Sequence, residues 1–273
     1  AALAARLQGA SQPLALPRPK MQVVIYKSRE EYAARAAAAN PKGPATLGLY
    51  DDKQRVAYFF GGDKSVYPTW YHEATHQLFQ EAVRGTADEP ASAANYWALE
   101  GVALYMESLA DRGGYWTLGG CEADRLQYAR YRVMTGDLDM PLARLAGMSR
   151  ESIQSSDDIG RLYTAAAGLA HFFLDGRGGA YREAFVDYLA SLYQGGGSIE
   201  KLAAATGQSL SKLDQQFHEF LNVTDDELAG IPDPASCQNL SLCRTAVTDA
   251  GLARFVGTKN LHWLDLSGTR ASD

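Results

Sequence analysis

The sequence predicts an α+β fold with a small N-terminal β-sheet, a mostly helical C-terminal half and a short repetitive tail. Three observations carry that prediction. β-prone runs occupy residues 21–26, 46–50 and 55–60, and most segments from residue 65 to residue 222 place apolar side chains at three- to four-residue spacing. Beyond them the chain repeats itself, Leu240-x-Leu242 returning as Leu264-x-Leu266, an offset of 264 − 240 = 24 residues. A chain of 273 residues with 46% hydrophobic content has material for one large core or two modest ones.

Taken in order, residues 21–26 form a short apolar strand. Residues 28–39 form a helix with Ser28 as N-cap and Glu31 at the capping-box position, stopped by the Pro/Gly-rich residues 40–44. The runs at 46–50 and 55–60 flank a polar turn at 51–54 and pair as a hairpin, ending in Gly61 and Gly62. Residues 65–84 carry Trp70, His76, Leu78 and Phe79 at helical spacing. Pro68 sits near the start, where a missing N–H costs nothing, and Arg84 with Gly85 marks the end. A loop at 85–94 leads to a second helical run at 95–108. Residues 115–120 make a turn, and helices are expected at 124–134, 159–174, 181–193, 198–205 and 209–222, with Ser198 and Ser209 as N-caps of the last two. Residues 231–234, Ile-Pro-Asp-Pro, break the pattern. The expected organisation is an extended N-terminal segment at 1–20, a domain at 21–230 and a tail at 231–273.

The first helix after the hairpin carries His72-Glu73-Ala74-Thr75-His76, an HExxH pattern. Two histidines four apart lie within about 40° of each other around a helix of roughly 3.6 residues per turn, so both imidazoles can face one ion. Glu73 then lies on the open side of that ion, placed to take a proton from a water rather than to ligate. A catalytic zinc needs a third protein ligand, and Glu100 on the second helix is the best placed. Asp88 and Glu89 are alternatives, although a polar loop positions a ligand less well than a helix does. Glu107, two turns beyond Glu100, reads as a carboxylate supporting the ligands. The bland alternative is an amphipathic helix whose His and Glu are surface polarity.

HEATH followed by a helix of the form WALEGVALYME is similar to the gluzincin superfamily of zinc metallopeptidases. The resemblance spans about residues 20–222 and is sharp at 72–76 and 97–107. It implies a zincin-like fold and a zinc ion held by His72, His76 and Glu100, with Glu73 as general base and Gly101 letting the two helices approach. It implies a peptide substrate lying along the exposed edge of the strand before the zinc helix, with Ala57, Phe59 and Gly61 as the contact positions. It also implies a tyrosine at the head of a later helix that stabilises the oxyanion. Tyr163 is the matching position, without the Lys-Gly that follows it in the family, and His171 is the alternative donor.

In the tail, Cys237-x-x-Leu240-x-Leu242-x-x-Thr245 and Leu261-x-x-Leu264-x-Leu266-x-x-Thr269 resemble the strand of leucine-rich repeats, with residues 248–255 as the helical return. Such a partial region offers a protein partner a surface. Fewer than three repeats do not cover their own core, which suggests a repeat region continuing past Asp273. A net charge of −6 without a Lys/Arg cluster argues against nucleic acid, and no apolar run approaches the roughly 20 residues that span a bilayer. Residues 1–16 are too short and interrupted for a complete signal peptide, and three cysteines make no disulfide framework, so the compartment stays open, an exported or cell-surface location included. Three functions compete: a zinc peptidase, a zinc hydrolase of a non-peptide amide or ester, and an inactive zincin-fold binding protein acting through its repeats.

Overall fold

The computed structural model describes residues 20–39, 46–83 and 89–272. The fold is mixed α and β. Strand β1 (Gln22–Tyr26) is followed by helix α1 (Arg29–Ala39), whose Glu31 N–H donates to the Ser28 Oγ at 3.3 Å. Strands β2 (Leu49–Asp51) and β3 (Val56–Phe60) form the expected antiparallel hairpin. The Asp51 carboxylate closes its turn, accepting from the N–H groups of Lys53 at 3.1 Å and Gln54 at 2.8 Å.

Sheet order is β1-β3-β2, with β1 parallel to β3. This corrects the expectation that β3 is an exposed edge. Ala57 and Phe59 are 0% and 3% exposed on a central strand bonded on both sides, and the Gly61 N–H donates to the Tyr26 carbonyl at 3.0 Å. None of the three has a free main-chain edge to offer a peptide. Sequence order places β3 next to the HExxH helix, but the parallel pairing with β1 moves it inside, leaving the sheet's edges to β1 and β2.

A 3₁₀ turn (Lys64–Val66) leads into α2 (Tyr67–Ala82), which carries HExxH; the expected stop at Arg84 and Gly85 lies outside the described residues. Helix α3 (Tyr96–Met106) is buried along its whole length, as its nearly unbroken apolar sequence demands. The short hairpin β4 (Ala110–Asp111) and β5 (Trp116–Thr117) follows, then α4 (Asp124–Thr135), α5 (Leu142–Ala146) and α6 (Arg150–Gln154). The long α7 (Ile159–Gly179) packs along α3 and departs from helical dihedrals at Gly176, Arg177 and Gly178. A Cβ on Gly101 would lie 2.6 Å from the Ala166 carbonyl oxygen and 3.2 Å from the Ala170 Cβ. Gly101 therefore admits α7, not the HExxH helix as expected. Helices α8 (Arg182–Tyr193), α9 (Ile199–Thr206) and α10 (Leu210–Leu221) complete the main core, with Ser198 and Ser209 accepting from Lys201 and Lys212 N–H as N-caps.

The tail has its own core of Val223, Leu228, Ile231, Cys237, Leu240, Leu242, Val247 and Phe255, so it begins before the Pro-rich break at 231–234. It holds α11 (Asp225–Ala229), β6 (Asn239–Ser241), α12 (Asp249–Leu252) and β7 (Trp263–Asp265). Strands β6 and β7 pair in parallel with Leu240 opposite Leu264. Thr248 donates from its N–H and Oγ1 to the Asp225 carboxylate at 2.8 and 2.6 Å, and Ser272 repeats both bonds to Asp249 at 2.8 and 2.6 Å. The buried Arg130 of α4 ties the tail to the main core, donating to the carbonyls of Leu221, Cys121 and Ser241. No helix among the described residues is long and apolar enough to cross a membrane.

Candidate metal centre

Helix α2 presents His72 and His76 one turn apart toward α3, and α3 presents Glu100 back. The Nε2 atoms of the two histidines are 3.3 Å apart, and the Glu100 oxygens lie 3.4 Å from His72 Nε2 and 3.7 Å from His76 Nε2. These are the only side chains among the described residues that converge as a metal-ligand group. Glu89 is engaged with Lys53 at 3.4 Å, and Asp88 lies outside the described residues.

Each histidine is turned by a bond to its other nitrogen. Glu107 Oε1 lies 3.0 Å from His72 Nδ1, and Arg125 holds the second Glu107 oxygen at 2.7 Å; the Tyr193 hydroxyl lies 3.2 Å from His76 Nδ1. With Nδ1 occupied on both rings, Nε2 is the atom left to ligate. Glu100 is 4% exposed, and its charge acts on the Tyr96 and Tyr163 hydroxyls, helping burial to raise both. The donor set fits a divalent metal: two imidazoles and one carboxylate, oriented before any ion arrives.

Without an ion the charges settle among the side chains. Burial works to depress the His72 pKa, but hydrogen bonds to Glu100 and Glu107 outweigh it and raise it to about 10. Burial lowers His76 to about 4. Burial works to raise Glu100 as well, yet the bond to His72 and the nearby imidazoles hold it down at about 2. Glu73 is raised, chiefly by burial.

Glu73 does not ligate; its Oε2 accepts from the Tyr50 N–H of β2 at 2.8 Å. Gly48 makes room for this, since a Cβ there would meet the Thr69 Cγ2 at 3.0 Å and the Glu73 Cγ at 3.2 Å. Tyr163, at the head of α7, comes to the site beside Glu100, and burial followed by the Glu100 charge pushes its hydroxyl pKa well up. His171 does not come to the site. It is fully buried against Tyr105 and Asp175, with ring centroids 4.7 Å apart and Nδ1 3.9 Å from the Asp175 carboxylate.

Sequence reasoning missed Tyr50, Tyr96, Arg125 and Tyr193. Tyr96 and Tyr193 open α3 and close α8, where an aromatic signals only packing, and Tyr50 acts through its main chain, which no side-chain pattern reveals. The chain matches no protein-family model, and no curated protein matches it in sequence.

Proposed function

We propose that the protein is a zinc metallopeptidase of the gluzincin type, hydrolysing peptide bonds, with a leucine-rich-repeat tail. The observation that carries this reading is the spacing of the donor atoms. Zinc at about 2.0–2.1 Å from each of four tetrahedral ligands sets the ligands about 3.3–3.4 Å apart. Here the two Nε2 atoms are 3.3 Å apart, one Glu100 oxygen lies 3.4 Å from His72 Nε2 and the other 3.7 Å from His76 Nε2, so three residues bring donor atoms close to that spacing and leave a fourth position for substrate or water.

Zinc, when bound, supplies a Lewis acid that polarises the scissile carbonyl and acidifies a water. The chain's own groups do the rest. Glu73, its basicity raised by burial, takes the proton from water and delivers it to the leaving nitrogen. Tyr163 stays protonated across the neutral range and donates to the oxygen that gains charge. Glu107 and Tyr193 keep the imidazoles turned. The outer edge of β2 takes the extended substrate in place of β3, because it is the edge that reaches Glu73 through the Tyr50 N–H. The 24-residue register of β6 on β7 supports the tail assignment.

The test is Glu73→Gln. It should leave one zinc per chain, read by inductively coupled plasma mass spectrometry, and reduce hydrolysis of a peptide library by about a thousandfold or more. Hydrolysis retained in the variant would overturn the assignment of Glu73. Hydrolysis absent from the zinc-loaded wild type would overturn the peptidase reading.

A further inference from the structure

Arg150 is the first residue of α6 and hydrogen-bonds none of the donor set. Its NH1 donates to Asp52 Oδ2 at 3.1 Å, and among the described residues its side chain makes no other hydrogen bond. The Nε and NH2 edge of the guanidinium is left as an open fork, on a side chain 37% exposed. Its Cζ lies 5.4 Å from the centroid of the Tyr96 ring, and Tyr96 stands one turn before Glu100 on α3. One phenol therefore separates this cation from a metal-ligand carboxylate.

The position along β2 gives the cation its meaning. Tyr50, whose N–H marks Glu73, precedes Asp52 by two residues, with β2 ending at Asp51 and Asp52 opening the turn. The Asp52–Arg150 pair joins the β2–β3 turn to the first residue of α6, just past the end of β2. A peptide lying on that edge over Glu73 has room for one or two residues before it meets the guanidinium. A planar cation with two parallel N–H donors suits a carboxylate.

We propose that Arg150 anchors the C-terminal carboxylate of a peptide, so that the site acts within one or two residues of the chain end. This inference rests on the peptidase reading for its cleft but not on turnover for its test. The probes are mercaptoacetyl-alanyl-alanine as the free acid, the same compound as its C-terminal amide, and mercaptoacetyl-alanyl-glutamic acid α-amide, whose only carboxylate is on a side chain. Each is titrated calorimetrically into the zinc-loaded full chain as wild type, Arg150→Lys and Arg150→Ala.

The wild type should bind the free acid at least about tenfold more tightly than the amide, with the glutamate compound close to the amide. Arg150→Ala should bring the acid-to-amide ratio to within about twofold, and Arg150→Lys should restore part of it. A merely structural role for Arg150 would weaken acid and amide alike and leave the ratio unchanged, which overturns the proposal. So does a wild-type ratio near one, a failure of all three probes to bind, or a glutamate compound that binds as tightly as the acid. Loss of peptidase activity on its own leaves these ratios readable, so the two ideas fail separately.

Discussion

Replacing Gly101 by alanine tests the helix contact that carries Tyr163 to Glu100. The added Cβ would lie 2.6 Å from the Ala166 carbonyl oxygen, where ordinary contact begins at 3.4 Å, so α3 and α7 must part by about 0.8 Å. The obstacle is backbone and cannot rotate away. Overpacking of this kind costs about 3 kcal/mol, at the upper end of the usual range. Alanine recovers about 1 kcal/mol in a helix interior, leaving a net loss of about 2 kcal/mol. For a protein of this size that lowers Tm by about 4–8 °C. The matched control is Gly160→Ala on α7, where a Cβ would meet nothing within 4 Å. Gly160 lies in the first turn, where the propensity gain is smaller than in a helix interior, so Tm should hold or rise by no more than about 2–4 °C. Scanning calorimetry on the metal-free proteins reads both. A Gly101→Ala variant as stable as wild type, or a control that loses as much, would refute the packing argument.

Three further outcomes follow from the same geometry. Glu107→Gln keeps the shape beside His72 Nδ1 but removes the charge, and zinc affinity measured against a chromophoric chelator should fall about 10–100-fold; unchanged affinity would show that Glu107 does not support the ligand. Zinc uptake near pH 7 should release about one proton. His72, raised to about 10, must give up the proton on its ligating nitrogen, whereas His76, at about 4, and Glu100, at about 2, have none to lose. Affinity should therefore drop about tenfold per pH unit as the solution is acidified from pH 9 to pH 6, and calorimetry in buffers of different ionisation enthalpy would contradict this by finding no proton or two. Arg130→Met strips the donor from the carbonyls of Leu221, Cys121 and Ser241 and should loosen the tail by about 2–3 kcal/mol, seen as about 30–150-fold faster amide exchange over residues 239–265; exchange confined to the wild-type rate would mean the tail is held by its apolar core alone.

The metal-ligand group was legible in the sequence because most of its chemistry is local: His72 and His76 share one helix face, and Glu100 stands on the next helical run, in a WALEGVALYME pattern that follows HEATH. The helices from α7 to α10 were legible from periodicity and from Ser198 and Ser209. What escaped was long-range. The position of β3 depends on a parallel partner 34 residues earlier, Gln22 opposite Val56, and hairpin spacing says nothing of it. Helices α5 and α6 have five residues each, too few for a period to show. Gly101 looked like a small residue beside a ligand, and only three-dimensional packing tells which helix it admits. The second core crosses the Pro-rich break to include Val223 and Leu228, a continuity hinted at only where Val223-Thr224-Asp225 anticipates Val247-Thr248-Asp249.

The paired rungs of the tail, Asp225 to Thr248 and Asp249 to Ser272, constrain how its length can change. Each acceptor and donor are 23 positions apart, 248 − 225 and 272 − 249, and the strands beneath them are matched at 24. One residue inserted between two rungs shifts every later donor past its acceptor and turns the following strand over, apolar side outward. Small insertions here should be far more damaging than the removal or duplication of a whole 24-residue unit, so viable length variants of this segment should fall on multiples of that unit.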